Sequence, residues 1–353
     1  SSEVDITDPN FKMPQVLRLN AALDQQLPYN YVATVEFVYS KTLNDILYQD
    51  INLGAENTKL TGPGGRPVYG DTSKGTFSMR KISQSFTNVI LMKNTNQGYS
   101  YNFSFQIQNK PTDMIYTSAG YSYGSSKDRN AGGSSRAISN YQYNVISGNP
   151  NDPPLGISNF DIKHRVFAAI SYNVEFVEGY RTTVSLFYNG QSGRPFSYVY
   201  NGDVNGDGNT QNDLIYIPKN ASDIVLTSNN YAALDKYINN DPYLSKHRGE
   251  NAERNGAREP WVDQVDFKLA QIIPISGTHR FEISLDILNL PNLLKSTWGY
   301  IKTVPNQSDL LLQFKGYNSA GKQTYSFTDK SDPYQKEALL SRWQMQLGVR
   351  YSF

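Results

Sequence analysis

Hydrophobic and polar residues alternate strictly along several stretches of the chain. In the final stretch, RWQMQLGVRYSF, every second side chain is apolar: Trp343, Met345, Leu347, Val349, Tyr351 and Phe353. Successive side chains of a β-strand point to opposite faces, so this period of two predicts a strand with one apolar and one polar side. The stretches VLRLNAALD, YSYNFSFQIQ and FEISLDIL repeat the pattern. No helical period is comparable, apart from a short turn near NYAALDKYI.

These patterns predict nine strands, separated by connections of two kinds. The predicted strands are Gln15–Gln25, Tyr31–Gln49, Phe86–Gln108 with a bend near Gly98, Met114–Gly124, Ile162–Phe176, Arg181–Tyr198, Val262–Ile273, Arg280–Asn289 and Ser341–Phe353. Short turns (LPYN, NKPTD, VEG and ISGT) alternate with long segments rich in Gly, Asn, Asp and Ser. Outer-membrane barrels combine tight periplasmic turns with long extracellular loops. The sequence therefore predicts an all-β fold, an antiparallel transmembrane β-barrel.

A soluble β-sandwich also shows a period of two and is the main alternative fold. Sandwich loops do not alternate strictly between short and long. The apolar faces here are dense in Tyr, Phe and Trp, as the interfacial girdles of a barrel require, and the chain ends on an aromatic strand. These features favour the barrel over the sandwich.

Residues 1–353 are expected to form a single region of barrel strands with long extracellular loops, and composition excludes several other classes of protein. The net charge is +1 without a basic run, so an electrostatic basis for binding nucleic acid is missing. The chain has no cysteine, which excludes a disulfide scaffold and thiolate zinc sites. The mean hydropathy is −0.55, and no window approaches the roughly 18 apolar residues of a transmembrane helix. A helical membrane protein is therefore excluded.

The number of strands predicts that the barrel is incomplete. If the short turns are periplasmic, both the first and the last strand run towards the periplasm, and Ser1 lies outside the cell. Bacterial single-chain barrels have an even number of strands, so an odd set that starts outside cannot close alone. We expect the chain to be the carboxyl-terminal part of a larger barrel.

Several segments resemble a known family. They are FKMPQVLRLNAALDQQLPYNYVATVEFVYSKTLNDILYQDINL, GDVNGDGNTQNDLIYIP, REPWVDQVDFKLAQIIP and DILNLPNLLKSTWGY. Together they resemble the carboxyl-terminal half of TonB-dependent outer-membrane receptors, particularly the Oar-like subgroup. The DLIYIP that follows the Asp/Asn/Gly loop is typical of that subgroup, whereas DILNLPN is shared more broadly among such receptors.

The resemblance implies a 22-strand barrel, occluded by an amino-terminal plug, that takes up a scarce substrate with energy delivered by TonB. Neither a plug nor a TonB box lies within these residues, so the chain would supply barrel wall and extracellular loops. The implied partners are outer-membrane lipid, the remaining strands and plug of the same receptor, and TonB acting through that plug. Whether a lid lipoprotein or an envelope-complex partner also binds the barrel stays open. A barrel retained as an adhesin or envelope-complex subunit is the rival function, and a soluble calcium-dependent binding module is a second rival.

The stretch DVNGDGNTQND is the main candidate metal site. Acidic and amide residues occupy positions 1, 3 and 5 of an EF-hand-like loop, with Gly208 at position 6, but position 12 is Leu214 instead of Glu. The oxygen ligands for a weak Ca²⁺ site would be Asp203, Asn205, Asp207, the Asn209 carbonyl and Asp213. A metal-free loop is the equal alternative, because Asn-Gly and Asp-Gly form turns readily. No other cofactor is predicted.

No catalytic constellation emerges, and an enzyme is not expected. GYSYG, residues 120–124, matches G-x-S-x-G, but its residues continue a strand pattern rather than a strand-to-helix turn. The three histidines are scattered and lack metal-ligand spacing: His164, His247 and His279. Polar residues expected in the barrel lumen, facing a plug, a substrate or only water, are Arg18, Asn20, Gln106, Gln344, Gln346 and Arg350. Loop aromatics expected either to bind a ligand or to pack the loops are Tyr198, Tyr200, Tyr216 and Tyr231.

Overall fold

A computed structural model of the chain describes residues 2–57, 61–71, 78–79, 81–109, 114–130, 132–228 and 230–353. The strands are β1 Ser2–Thr7, β2 Gln15–Gln26, β3 Tyr31–Asp50, β4 Gly70–Asp71, β5 Ser78–Met79, β6 Phe86–Thr95, β7 Tyr99–Asn109, β8 Ile115–Asp128, β9 Gly156–Ile157, β10 His164–Val177, β11 Tyr180–Gln191, β12 Pro195–Asn201, β13 Val225–Leu226, β14 Ala257–Arg258, β15 Val262–Ser276, β16 His279–Leu288, β17 Lys302–Thr303, β18 Ser308–Tyr317, β19 Gln323–Ser326, β20 Gln335–Lys336 and β21 Gln344–Ser352. The α-helices are α1 Ala137–Gln142, α2 Tyr231–Asn240 and α3 Leu290–Leu294. Among the helices in these ranges, none is long and apolar enough to cross a membrane.

Nine long strands form one antiparallel wall. Their order is β2-β3-β7-β8-β10-β11-β15-β16-β21, and every neighbouring pair is antiparallel. Within the described residues, no strand pairs with the outer edge of β2 or of β21. The prediction of nine antiparallel wall strands is confirmed, and the wall has two unpaired edges.

The strand predicted at Phe86–Gln108 is divided near its expected bend. β6 ends at Thr95 and β7 begins at Tyr99, with Gly98 between them at a φ of 157°. Both pieces pair with β3, β6 with Asp45–Asp50 and β7 with Tyr31–Lys41. With 20 residues, β3 spans roughly 66 Å at the usual rise, so its last part extends beyond a bilayer. β1 adds a parallel strand to β6 in this extension.

The predicted strand Arg181–Tyr198 is wrong at its carboxyl end, because it joins two strands that the structure separates. β11 leaves the wall after Gln191, and β12 starts at Pro195 as part of a different sheet. Gly193 lies between them, where a Cβ atom would come within 2.2 Å of the Glu259 carbonyl oxygen. This close approach of two backbone segments requires glycine and turns the chain away from the wall.

The cross-strand register confirms that the wall has one apolar and one polar face. Phe37 lies between Ala21 and Phe103, whereas Glu36 lies between Ala22 and Ser104. The predicted lumen residues fall on the polar face of their strands. Gln346 is opposite Asp286, which forms an ion pair with Lys268 at 3.3 Å, Arg350 is opposite Glu282, and Arg18 donates to the Ser40 hydroxyl.

The connections between strands alternate in length, as predicted. Residues 27–30, 178–179 and 277–278 form short turns at one end of the wall. The long connections 51–98, 129–163, 192–261 and 289–343 all leave from the other end. Residues 110–113 of the NKPTD turn and Ser1, which was expected outside the cell, lie outside the described residues.

The hydrophobic core lies in the long connections rather than in the wall. We call the described parts of 51–71, 129–163, 192–261 and 289–343 the loop layer. It contains the sheet β13-β19-β18-β12-β14 and the helix α2, whose formation confirms the turn expected near NYAALDKYI. The buried cluster includes Phe196, Ile215, Leu234 and Leu312. A smaller core lies where α1 packs on β3 and β6. The loop layer is therefore a folded unit on top of the wall.

Candidate functional site

The Asp/Asn/Gly loop, residues 203–213, lies inside the loop layer. It follows β12 and returns to it, because the Tyr200 amide donates to the Asp213 carbonyl at 2.8 Å and the Gly202 amide donates to the Thr210 carbonyl at 2.7 Å. Gly206 and Gly208 both have positive φ, which lets the chain turn tightly. Three of the five predicted calcium ligands, Asn205, Asp207 and Asp213, are at most 1% exposed. The predicted ligands thus form a buried structural centre.

The first two carboxylates of this loop accept hydrogen bonds from its own backbone. Asp203 accepts from the amides of Gly206 and Gly208, at 2.6 and 3.0 Å. Asp207 accepts from the Asn209 amide at 2.8 Å and from the Asn212 side chain at 2.7 Å. Side-chain acceptors of this kind commonly stabilise Asx turns. The loop can therefore hold this shape through its own hydrogen bonds.

The third carboxylate, Asp213, is paired with an arginine from a distant segment. Arg66 Nη1 lies 2.8 Å from Asp213 Oδ1, and both side chains are completely buried. The guanidinium also donates to the Leu214 carbonyl and lies 5.4 Å from the centre of the Tyr200 ring. The sequence contained no signal for this pairing, because Arg66 stands in a Pro/Gly turn far from the loop.

Burial makes the ionised forms of these three carboxyls costly. It raises the pKa of Asp203 to about 7, with the negative charge of Asp207 contributing, and it also raises the pKa of Asp207. Burial raises the pKa of Asp213 well above its ordinary value, although the Arg66 charge acts in the opposite direction. The buried guanidinium of Arg66 pairs with Asp213, whereas Asp203 and Asp207 have only hydrogen-bond donors, so the loop favours a bound proton or an added cation.

The fit of Ca²⁺ to this loop is partial. Asp203, Asn205 and Asp207 come together, and the Asn205 amide lies 3.3 Å from Asp207 Oδ2. Asp213 instead faces Arg66, and position 12 of the loop offers no carboxylate. In the described part of the chain, no three His, Cys, Asp or Glu side chains are arranged to hold a metal ion. Calcium at this loop stays a prediction, with Asp203 and Asp207 as its charged ligands.

The structure divides the predicted loop aromatics between two roles. Tyr198 and Tyr200 are buried in the core, and the Tyr198 hydroxyl donates to Asp241 at 2.6 Å. Tyr231 packs against the same core from its edge. Tyr216 is half-buried and lines a cavity of about 410 Å³ together with Tyr317. Tyr216 therefore contributes to the wall of this cavity, whereas Tyr198, Tyr200 and Tyr231 pack the loops.

Aromatic residues mark both rims of the wall. All three tryptophans lie at the end that carries the long connections. Trp261 precedes β15 and Trp343 precedes β21, while Trp298 is held at the same level through Asn292, which hydrogen-bonds to both Trp298 and Trp343. The short-turn end exposes Tyr29, Phe176, Tyr180 and Phe353. Such girdles mark the two membrane interfaces of outer-membrane barrels.

The remaining sequence candidates stay separate. Each histidine has a local partner: His164 bonds to the Tyr121 hydroxyl at 2.8 Å, His247 to Glu250 at 3.0 Å and His279 to the Tyr351 hydroxyl at 2.6 Å. GYSYG lies within β8 and continues as a strand on both sides. The structure therefore does not place this motif on a strand-to-helix turn.

Two solved structures show a distant similarity to the chain. The outer membrane transporter YddB from Escherichia coli is 12% identical, with a TM-score of 0.45, and the similarity covers 100% of this chain. The chain spans 34% of the length of YddB. The CymD monoaromatic hydrocarbon channel is also 12% identical, with a TM-score of 0.24, over 78% of this chain and 59% of CymD. No curated protein matches the sequence.

A protein family described as "Outer membrane beta barrel domain" matches residues 1–304. The match agrees with the antiparallel wall, its single apolar face and its two aromatic rims. The predicted barrel fold and outer-membrane location are therefore confirmed, and the sandwich alternative is set aside. The chain belongs to the outer membrane beta barrel domain family and is a protein of the outer membrane.

Proposed function

We propose that the chain forms wall and extracellular loops of a TonB-dependent transporter that takes up a scarce substrate across the outer membrane. The observation that carries this proposal is the wall of nine antiparallel strands with two unpaired edges, capped at one end by a folded loop layer. The resemblance of segments such as GDVNGDGNTQNDLIYIP to Oar-like receptors supports the same function.

The unpaired edges support a larger barrel. Backbone N–H and C=O groups cannot stay unpaired in lipid, so β2 and β21 require further strands on their outer sides. We infer that these strands belong to the same receptor. Outer-membrane transporters with 22 strands have a lumen filled by a plug. Because such a plug must move each time a substrate passes, the transporter needs the energy that TonB delivers.

The loop layer supports substrate capture. Its buried cluster joins residues from β12, α2, β18 and β19, so the long connections are held in one shape before any ligand arrives. Preorganised loops lose less conformational entropy on binding than mobile ones. A fixed extracellular surface is suited to a receptor for a dilute substrate. It would equally suit an adhesin or an envelope-complex subunit, which is the rival function.

Binding to TonB separates these two functions. The full-length protein encoded by the parent gene, purified in detergent, is titrated calorimetrically with the periplasmic domain of TonB. Transport predicts saturable binding that disappears when the segment preceding the first wall strand of the full-length protein is removed. An adhesin or a passive subunit predicts no binding to TonB, and that result would overturn the proposed function.

A further inference from the structure

A small cavity lies where the loop layer meets the end of the wall. It has a volume of about 210 Å³, and its lining includes Asn144, after α1, together with Asn255 and Gln307. We call it the amide cavity. Its walls come from the connections that join β8 to β10, β11 to β15 and β16 to β21. It therefore lies near the mouth of the wall.

The lining of the amide cavity is polar but electrically neutral. Seven of its residues have amide side chains and four are serines, and none is acidic. Arg254 is the single charged residue among the described lining. Its guanidinium lies 2.8 Å from Asp128 Oδ1 and donates to Asn144 Oδ1 at 3.1 Å. The cation is therefore already neutralised and does not offer the cavity a free charge.

Part of this lining is a rigid frame. The Asn255 side chain accepts from the Ser197 hydroxyl at 3.3 Å and donates to Asn159 Oδ1 at 2.7 Å. Gln307 Nε2 donates to the carbonyls of Asn159 and Pro195, at 3.0 and 2.9 Å. These bonds fix the amide groups before a ligand binds.

Other polar groups of the lining have no partner within the described residues. They are the Asn306 amide, the Ser308 and Ser139 hydroxyls, Asn159 Nδ2 and Gln307 Oε1. Together they provide both donors and acceptors around one small volume. A ligand that both donates and accepts hydrogen bonds matches this arrangement.

Backbone conformation also singles out this cavity. Asn255, Asn306 and Gln307 have φ values of 58°, 52° and 53°. They are three of the six non-glycine residues with positive φ in the described part of the chain. Such conformations cost energy, are retained where surrounding structure enforces them, and cluster at ligand sites.

We propose that the amide cavity binds one ring of an uncharged sugar, so that the substrate is a neutral saccharide. Sugar hydroxyls donate and accept at once, as amide groups and serines do. The Tyr143 side chain at the cavity, in a residue that is 68% exposed, supplies an aromatic surface for the apolar face of a sugar ring. An anionic chelate would need free cations, and an apolar compound would leave the amide and hydroxyl groups of the lining without hydrogen-bond partners. The role of this site in uptake rests on the proposed function, whereas binding itself does not.

The test uses the full-length receptor in detergent with uncharged trisaccharides as probes: maltotriose, cellotriose, xylotriose and chitotriose. Calorimetry should detect binding of at least one of them. Asn306→Gly removes an amide while glycine tolerates the positive φ, so it should weaken that binding about three- to tenfold, the usual effect of one hydrogen bond. Tyr143→Ala should weaken it to a similar degree. Asn30→Gly makes the same change at a φ of 61° in a short turn at the opposite end, and should leave binding unchanged.

Three results would overturn the sugar site. They are no binding of any trisaccharide, binding that both cavity variants leave unchanged, or binding only of trialanine or of trigalacturonate used as peptide and anion probes. TonB binding without saccharide binding would leave the proposed function standing and remove this site. Saccharide binding without TonB binding would leave the sugar site standing and overturn the proposed function.

Discussion

Replacing Arg66 with methionine removes the buried cation that pairs with Asp213. The substitution keeps most of the side-chain volume, so the main change is electrostatic. The Asp213 carboxylate would remain completely buried, with the Val204 amide as its remaining donor at 3.2 Å. Removing one partner of a buried ion pair costs about 3–5 kcal/mol, because the other charge is left uncompensated. The Leu214 carbonyl and the face of Tyr200 lose the guanidinium as well.

This destabilisation should be local to the loop layer, since the wall does not depend on Arg66. Hydrogen exchange of the full-length protein in detergent, followed for peptides covering 196–217, should accelerate by a factor of about 150 to 4,000, since each 1.4 kcal/mol corresponds to a factor of ten. Adding Asp213→Asn to Arg66→Met should restore a large part of the protection, because the buried charge is then gone. The single variant should also lose less protection at pH 5 than at pH 8, since a protonated Asp213 needs no cation.

Arg136→Met is the matched control. Arg136 pairs with Glu3 at 3.4 Å, with side chains 68% and 36% exposed, and such surface pairs contribute at most about 1 kcal/mol. Equal exchange rates in the Arg66 and Arg136 variants would refute the reasoning, as would a double variant no more protected than Arg66→Met alone.

Three further predictions follow from the loop and the wall. Because burial raises the pKa of Asp203 to about 7 from 3.8, the folded loop holds a proton between about pH 4 and 7 that the unfolded chain releases. In calcium-free buffer, the loop layer should therefore lose stability as the pH rises through this window, and equal corrected exchange at pH 5 and pH 8 would contradict this. If Ca²⁺ binds, calorimetry should show heat at millimolar calcium that Asp207→Asn abolishes and that exposed Asp223→Asn preserves; no heat in the unmodified protein would remove the calcium prediction. On the apolar face of β16, Leu285→Arg should destabilise the folded barrel in lipid by about 2–4 kcal/mol, and Ser284→Arg on the polar face by clearly less. Equal losses in urea unfolding would show that the faces are wrongly assigned.

The wall could be predicted from the sequence because its information is local. Alternation of apolar and polar residues fixes both the strand and its two faces, as at 99–108 and 344–352. The loop layer could not be predicted in the same way. Its sheet pairs Ser197 with Ser308 and Val225 with Thr324, and such distant parallel pairings leave no periodic trace.

The Asp/Asn/Gly loop shows the same limit at a single site. Its turns could be predicted from Asn-Gly and Asp-Gly, and the loop does turn at Gly206 and Gly208. Its burial and the pairing of Asp213 with Arg66 depend on a segment 147 residues away. The amide cavity was missed because amides and serines drawn from several loops resemble ordinary loop composition.

Uptake in living cells tests the proposed transport function most directly. Cells carrying the parent gene are given radiolabelled maltotriose, or whichever uncharged trisaccharide the purified receptor binds, and accumulation is compared with strains that lack the gene or lack TonB. TonB-dependent transport predicts accumulation that both deletions abolish and that a protonophore stops within minutes. Accumulation that persists without TonB, or that is the same with and without the gene, would contradict it.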